Sequence, residues 1–113
     1  MADCLFCKIV TKELESEIVA ESEGAVAFKD INPAAPTHIL VVPRRHIASM
    51  ADLSESDGGL LAELFQMIKK VAADAGIADS HRIVSNKGKG AGQSVFHLHF
   101  HVLGGRSLSW PPG

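Results

Sequence analysis

Apolar and polar positions alternate with a period of two over His97-Leu98-His99-Phe100-His101-Val102-Leu103, the clearest pattern in the chain. Such alternation predicts a strand. Leu98, Phe100 and Val102 would enter a core, with His97, His99 and His101 on the opposite face. His38-Ile39-Leu40-Val41-Val42 is the strongest β-branched run, closed by Pro43, which cannot donate to a ladder. Glu17 to Glu21 and Ala25 to Lys29 flank a Glu23-Gly24 turn and predict a hairpin, and Arg82 to Ser85 predicts a further strand. The spacing turns helical at Leu61, Leu64, Phe65, Ile68, Val71, Ala72 and Ala75. Ser54 and Asp57 offer a near-capping box for this helix, Gly76 a C-cap, and Gly58-Gly59 weaken its first turn. A short opening helix is predicted over Cys4 to Lys12, with Asp3 as N-cap. Asn32-Pro33 and Ala35-Pro36 mark a loop, and the tail from Gly104 to Gly113 carries no regular pattern.

Five strands with one long and one short helix predict an α+β fold, its sheet mostly antiparallel. At 113 residues, the chain fits one domain spanning 1–113, which would gain from an oligomeric interface. The composition, 46% hydrophobic and 21% charged, is that of a globular protein. The net charge is −2, and the pairs Arg44-Arg45, Lys69-Lys70 and Lys87/Lys89 are too scattered for a polynucleotide footprint. No apolar run is long enough to span a membrane and no signal-like segment opens the chain, so a cytoplasmic protein is expected. In that compartment the C-x-x-C pair Cys4/Cys7 favours a metal clip or a redox pair over a structural disulfide.

Three of the six histidines fall on one predicted face. Alternating imidazoles bind zinc, or form a nucleophile and acid–base cluster, since imidazole titrates near neutrality and its two nitrogens serve different partners. No acidic residue stands near them in sequence to complete a catalytic zinc site. What does stand near is Asn86-Lys87-Gly88-Lys89-Gly90-Ala91-Gly92-Gln93-Ser94. Its three glycines let backbone N–H groups approach a phosphate, although the order is not that of a Walker loop.

His97 to Leu103 matches the histidine-triad pattern without a departure, and the chain resembles the histidine triad (HIT) superfamily, specifically its Hint branch. The similarity also rests on Phe6-Cys7-Lys8-Ile9, Phe28 to Pro33, Ala35 to His38, Gly92 to Phe96, Leu103 to Arg106 and Trp110 to Gly113. The resemblance implies a HIT-like fold and a purine nucleoside phosphoramidase that releases an amine from an AMP-like or GMP-like phosphoramidate. On it, His99 is the nucleophile, His101 contacts the phosphate, and His38 sits against the nucleophile. Ser94 and Asn86 bond the phosphate with the backbone of Gly92. Asp30 grips the ribose, with Ile31 following it, and Leu5, Phe6, Ile9, Leu14, Phe28 and Leu40 form a slot for the base. It also implies a homodimer joined through the long helix and a sheet edge, with Trp110 near the partner's site.

The Cys4/Cys7 pair departs from many Hint proteins. Related members carry C-x-x-C with two histidines on zinc, which here implies Cys4, Cys7, His46 and His97 holding a structural ion, with no cofactor needed for catalysis. His97 as a ligand is then excluded from proton transfer. Leu14-Glu15 stands where the family often has Ile-Pro, and Lys87 and Lys89 make the loop more basic than usual, favouring acidic leaving groups. Three other functions stay open: a dinucleoside polyphosphate hydrolase or nucleotidyl transferase working through His99, a nucleotide-binding adaptor, and a zinc-binding structural protein.

Overall fold

The computed structural model describes residues 4–113. Helix α1 (Leu5–Val10) is followed by β1 (Ile18–Glu21), β2 (Ala25–Lys29) and β3 (Thr37–Pro43), then α2 (Gly58–Asp74), β4 (His81–Val84) and β5 (Phe100–Gly104). The strands form one sheet in the order β1-β2-β3-β5-β4, every pair antiparallel. Helix α2 makes the crossover from β3 to β4, so β5 inserts between them. No described helix is long and apolar enough to cross a membrane.

Each face of the sheet carries its own core, as the alternation of β3 requires. Ile39 and Val41 join Leu64, Ile68 and Val71 of α2, while Leu40 and Val42 join Phe6 and Ile9 of α1. Leu98, Phe100 and Val102 pack on the α2 side, as their spacing predicts. The histidines between them therefore face α1.

The predicted fifth strand is shorter than its sequence pattern. It begins at Phe100, so His97 and His99 precede the ladder. Val41 pairs with Phe100, and continuing that register would set Leu98 against Pro43, which has no N–H. Leu98 N–H instead donates to the Ile47 carbonyl at 2.6 Å, and the Pro43 carbonyl receives the His97 ring at 2.8 Å.

Asp3 lies outside the described residues, and Cys4 caps α1, its Sγ accepting the Cys7 N–H at 3.2 Å. Ser54 and Asp57 bracket a short 3-10 turn at Glu55–Asp57 rather than the helix itself, with Ser54 N–H donating to the Asp57 carboxylate at 2.9 Å. Helix α2 ends as expected at glycine. Gly76 has φ +76°, Gly76 N–H reaches Ala73 and Ile77 N–H reaches Ala72, the double bond of a Schellman motif. Glu63 then ties α2 to the hairpin through Ser22 Oγ and the Gly24 N–H.

Candidate active site and metal centre

A cleft of about 390 Å³ opens between α1 and the sheet. Leu5, Phe6, Ile9, Leu14, Phe28 and Leu40 supply its apolar wall, the six residues expected around a base. Asp30, Ile31, Ser94, His99 and His101 complete its lining, and an Asp30 carboxylate oxygen lies within 4.8 Å of a ring nitrogen of His101. A second cleft of similar size lies on the helix side, between Val19, Val71 and Asp74. Its ionisable side chains are already engaged, Lys29 with Glu17 at 2.8 Å, Asp74 with Lys70 at 2.7 Å, and Asp30 and His38, which line it too, with each other at 3.4 Å. The histidine cleft is the one with uncommitted chemistry.

His99 is buried, with the edge of its ring against Phe6, the centroids 5.0 Å apart. Its Nδ1 lies 2.7 Å from the His97 carbonyl, which can only accept. The hydrogen therefore sits on Nδ1 and the lone pair on Nε2, the state a nucleophile needs. Ser85 Oγ donates to the carbonyl of His99 itself at 2.9 Å.

A second chain of bonds sets the other two rings. Ala34 N–H donates to His38 Nδ1 at 3.0 Å, so His38 carries its hydrogen on Nε2. That Nε2 lies 2.9 Å from His101 Nδ1, leaving the His101 hydrogen on its own Nε2. The Asp30 carboxylate lies 3.4 Å from His38 Nε2. Burial lowers the pKa of both rings against this carboxylate; His101, also repelled by His99 and His38, falls to about 4. Both are neutral at physiological pH. His38, expected against the nucleophile, packs on His101, which in turn packs on His99 with ring centroids 4.9 Å apart.

Asn86 and Gly92 do not line the cleft. Gly92, at φ +102°, lies beside the Asn86 side chain instead. Lys87 and Lys89 are exposed on the same loop. What shapes that loop is Gln93, which is buried. Its Oε1 accepts the Gly88 N–H at 2.8 Å, and its Nε2 donates to the carbonyls of Ala48 and Val95. Neither Gln93 nor Ser85 stands out in the sequence, because their partners are backbone groups and those of Ala48 and His99 are distant along the chain.

Cys4, Cys7, His46 and His97 converge, with four donor atoms all within 4.8 Å of one another. His97 is fully buried, and its Nε2–H donates to Pro43, which turns the Nδ1 lone pair toward Cys4 Sγ at 3.3 Å and Cys7 Sγ at 3.4 Å. His46 Nδ1 lies 3.3 Å from Cys7 Sγ. Burial and the Cys4 thiol raise the Cys7 pKa to about 11, so a cation here must displace a proton. Two thiolates and two imidazoles, one already oriented by a carbonyl, fit tetrahedral Zn²⁺. Asp30, His38 and His101 also cluster but fit a cation poorly. Ala34 N–H fixes the His38 lone pair on Nδ1, away from the cluster.

The model of the HIT domain matches residues 11–108. This chain belongs to the HIT domain family. An uncharacterized HIT-like protein of Synechocystis is 47% identical over 111 residues, 98% of this chain and 97% of its own length. Among solved structures, a HIT family hydrolase from Legionella pneumophila superposes with a TM-score of 0.96 at 45% identity, covering 98% of this chain and all of that one. A HIT family hydrolase from Clostridium thermocellum gives 0.94 at 46%, covering 96% of both. The HIT fold expected from the triad is thus the observed one.

Proposed function

We propose that this HIT protein is a nucleoside phosphoramidase of the Hint type, acting through a nucleotidyl intermediate on His99. The observation that carries the reading is the His99 tautomer. A buried imidazole holds its hydrogen on a backbone carbonyl and keeps a free lone pair beside an apolar slot that also carries the Asp30 carboxylate.

In this reading the base lies among Phe6, Ile9, Phe28 and Leu40, and Asp30 accepts the ribose hydroxyls. His99 Nε2 attacks phosphorus and the P–N bond breaks, its electron pair staying on the leaving nitrogen, which takes up a proton from solvent and departs as the amine. Water then opens the P–N bond to His99, releasing the nucleoside monophosphate. The hydrogen on His101 Nε2 and the Ser94 hydroxyl offset the charge that develops on the phosphoryl oxygens. Asn86 and Gly92, set back from the cleft, would reach a phosphate only through movement of the loop. Zn²⁺ held by Cys4, Cys7, His46 and His97 would pin α1, and with it Phe6, to the sheet. His97, as a ligand, takes no part in proton transfer. The working unit would be a homodimer placing Trp110, 80% exposed here, beside the partner's cleft.

The test is hydrolysis of a fluorogenic adenosine phosphoramidate by wild type and His99→Ala. Loss of a nucleophile predicts a fall of several orders of magnitude. Wild type that binds AMP yet turns over no faster than the variant would make the chain an adaptor. Faster turnover of a dinucleoside tetraphosphate would make it a polyphosphate hydrolase.

A further inference from the structure

The turn that leaves β5 threads between two apolar surfaces. A β-carbon on Gly104 would meet Ile77 at 2.8 Å, and one on Gly105, at φ +92°, would meet Pro36 at 2.9 Å. Only glycine passes there. The passage delivers Arg106 to the loop between β2 and β3. Arg106 Nη2 and Nε both donate to the Ala34 carbonyl, at 2.9 and 3.3 Å, while Nη1 donates to Ser107 at 2.9 Å.

Ala34 is the residue whose N–H fixes the His38 ring. Its loop has few other tethers. Pro33 and Pro36 offer no N–H, Ile31 is 88% exposed, and Asn32 N–H is held at 2.8 Å by the Asp30 carboxylate. Among the described residues, only Arg106 donates to the Ala34 carbonyl.

We propose that Arg106 is a positioning residue for hydrolysis: by pinning Ala34 it fixes the tautomer of His38 and, through His38, that of His101. The proposal rests on the phosphoramidase reading, in which His101 must present a hydrogen to the phosphoryl group. The sequence of bonds is continuous, from guanidinium to Ala34, to His38 Nδ1, and from His38 Nε2 to His101 Nδ1. If Ala34 swings away, only the acceptors at Nε2 still hold the hydrogen there, the Asp30 carboxylate at 3.4 Å among them, and His38 gains a population with its hydrogen on Nδ1. His38 Nε2 and His101 Nδ1 would then meet as two acceptors, and His101 would turn or change tautomer. The Asp30 backbone keeps its place without Ala34, its N–H donating to the carbonyl of His38, whose backbone belongs to β3.

The experiment combines imidazole nitrogen NMR on histidine-labelled protein with steady-state kinetics on an adenosine phosphoramidate. Arg106→Ala is expected to move His38 from a single Nε2–H form to a mixture. It should lower kcat about ten-fold, a misplacement effect, with KM within about two-fold. Arg106→Lys, which keeps one donor and the charge, should recover part of both signals. In a His38→Ala background Arg106→Ala should cost nothing further, because the two residues act in series. Unchanged His38 nitrogen signals in Arg106→Ala overturn the proposal, as does a kcat loss that simply multiplies in the double variant. Wild type without hydrolysis would defeat the phosphoramidase reading instead, and the His38 signals would still decide whether Arg106 sets the ring.

Discussion

The carbonyl of His97 receives Nδ1–H of His99 at 2.7 Å, while the ring of the same His97 points its free nitrogen at Cys4 and Cys7. One residue thus joins the candidate metal centre to the candidate nucleophile, through its side chain on one hand and its backbone on the other. Metal analysis is expected to find about one zinc per chain, and Cys4→Ser to lose most of it. Orientation of His99 should loosen with it. Hydrolysis by Cys4→Ser is expected to fall about ten- to a hundred-fold, as for loss of an outer partner of a site. Wild type with no bound metal after growth in zinc would remove the centre from the account.

Acid should weaken the fold through His101. Its folded pKa, about 4, lies below the value near 6.5 of an unfolded histidine, and that of His38 is lowered too. Between those two values the unfolded chain binds more protons than the folded one. Stability therefore falls as pH drops through 6.5 and levels off near 4. Glu63, whose carboxyl is held low by Ser22 and the Gly24 N–H, adds an acid loss that His101 does not share. The thermal midpoint of His101→Asn is expected to drop less than that of wild type between pH 7.5 and 4.5. Equal drops would assign the acid sensitivity to groups other than His101; His38 and His97, whose pKa values burial also lowers, are among them.

Ser85→Ala removes the hydroxyl that donates to the carbonyl of His99. A single hydrogen bond of this kind contributes about 1 kcal/mol, which denaturant unfolding would register. The catalytic effect should be of similar size, about a five-fold loss in kcat/KM with AMP affinity unchanged by calorimetry. A drop in AMP affinity instead would place Ser85 in the nucleotide slot.

Phe65 packs on Phe100 with the rings tilted at 59° and their centroids 5.3 Å apart, yet remains 46% exposed on α2. Ile83, on the edge strand β4, is 37% exposed. A second copy covering both is the proposed dimer, and Phe65→Glu should dissociate it because it places a charge in an apolar contact. Sedimentation velocity at micromolar concentration is expected to show dimer for wild type and monomer for the variant. A monomeric wild type would leave Trp110 without a neighbouring cleft.

Much of this architecture was legible from local rules. The alternation of Leu98, Phe100 and Val102 named the core face of β5, and the helical spacing from Leu64 to Ala72 named the buried side of α2. The apolar slot was legible because six residues of the matched family pattern line one cleft. The extent of β5 was not, since it depends on Pro43, which comes to face that segment only in the folded sheet. The same holds for Ser85, Gln93 and Arg106. Each acts on a backbone carbonyl, and carbonyls carry no sequence signal. Cys4 as a cap was hidden for a different reason: sulfur is an uncommon acceptor there, and Asp3 is the better candidate by type.

The late start of regular pairing in β5 has a use. In a fully paired strand, the carbonyls of residues 97 and 99 would be spent on neighbouring strands. Because regular pairing begins only at Phe100, both are released as acceptors, one for the ring of His99 and one for Ser85. Both carbonyls face the β4 side of the ladder, where the last pair is Val84 with His101; by stopping there, β4 leaves free the oxygen that tells the nucleophile which nitrogen to bare.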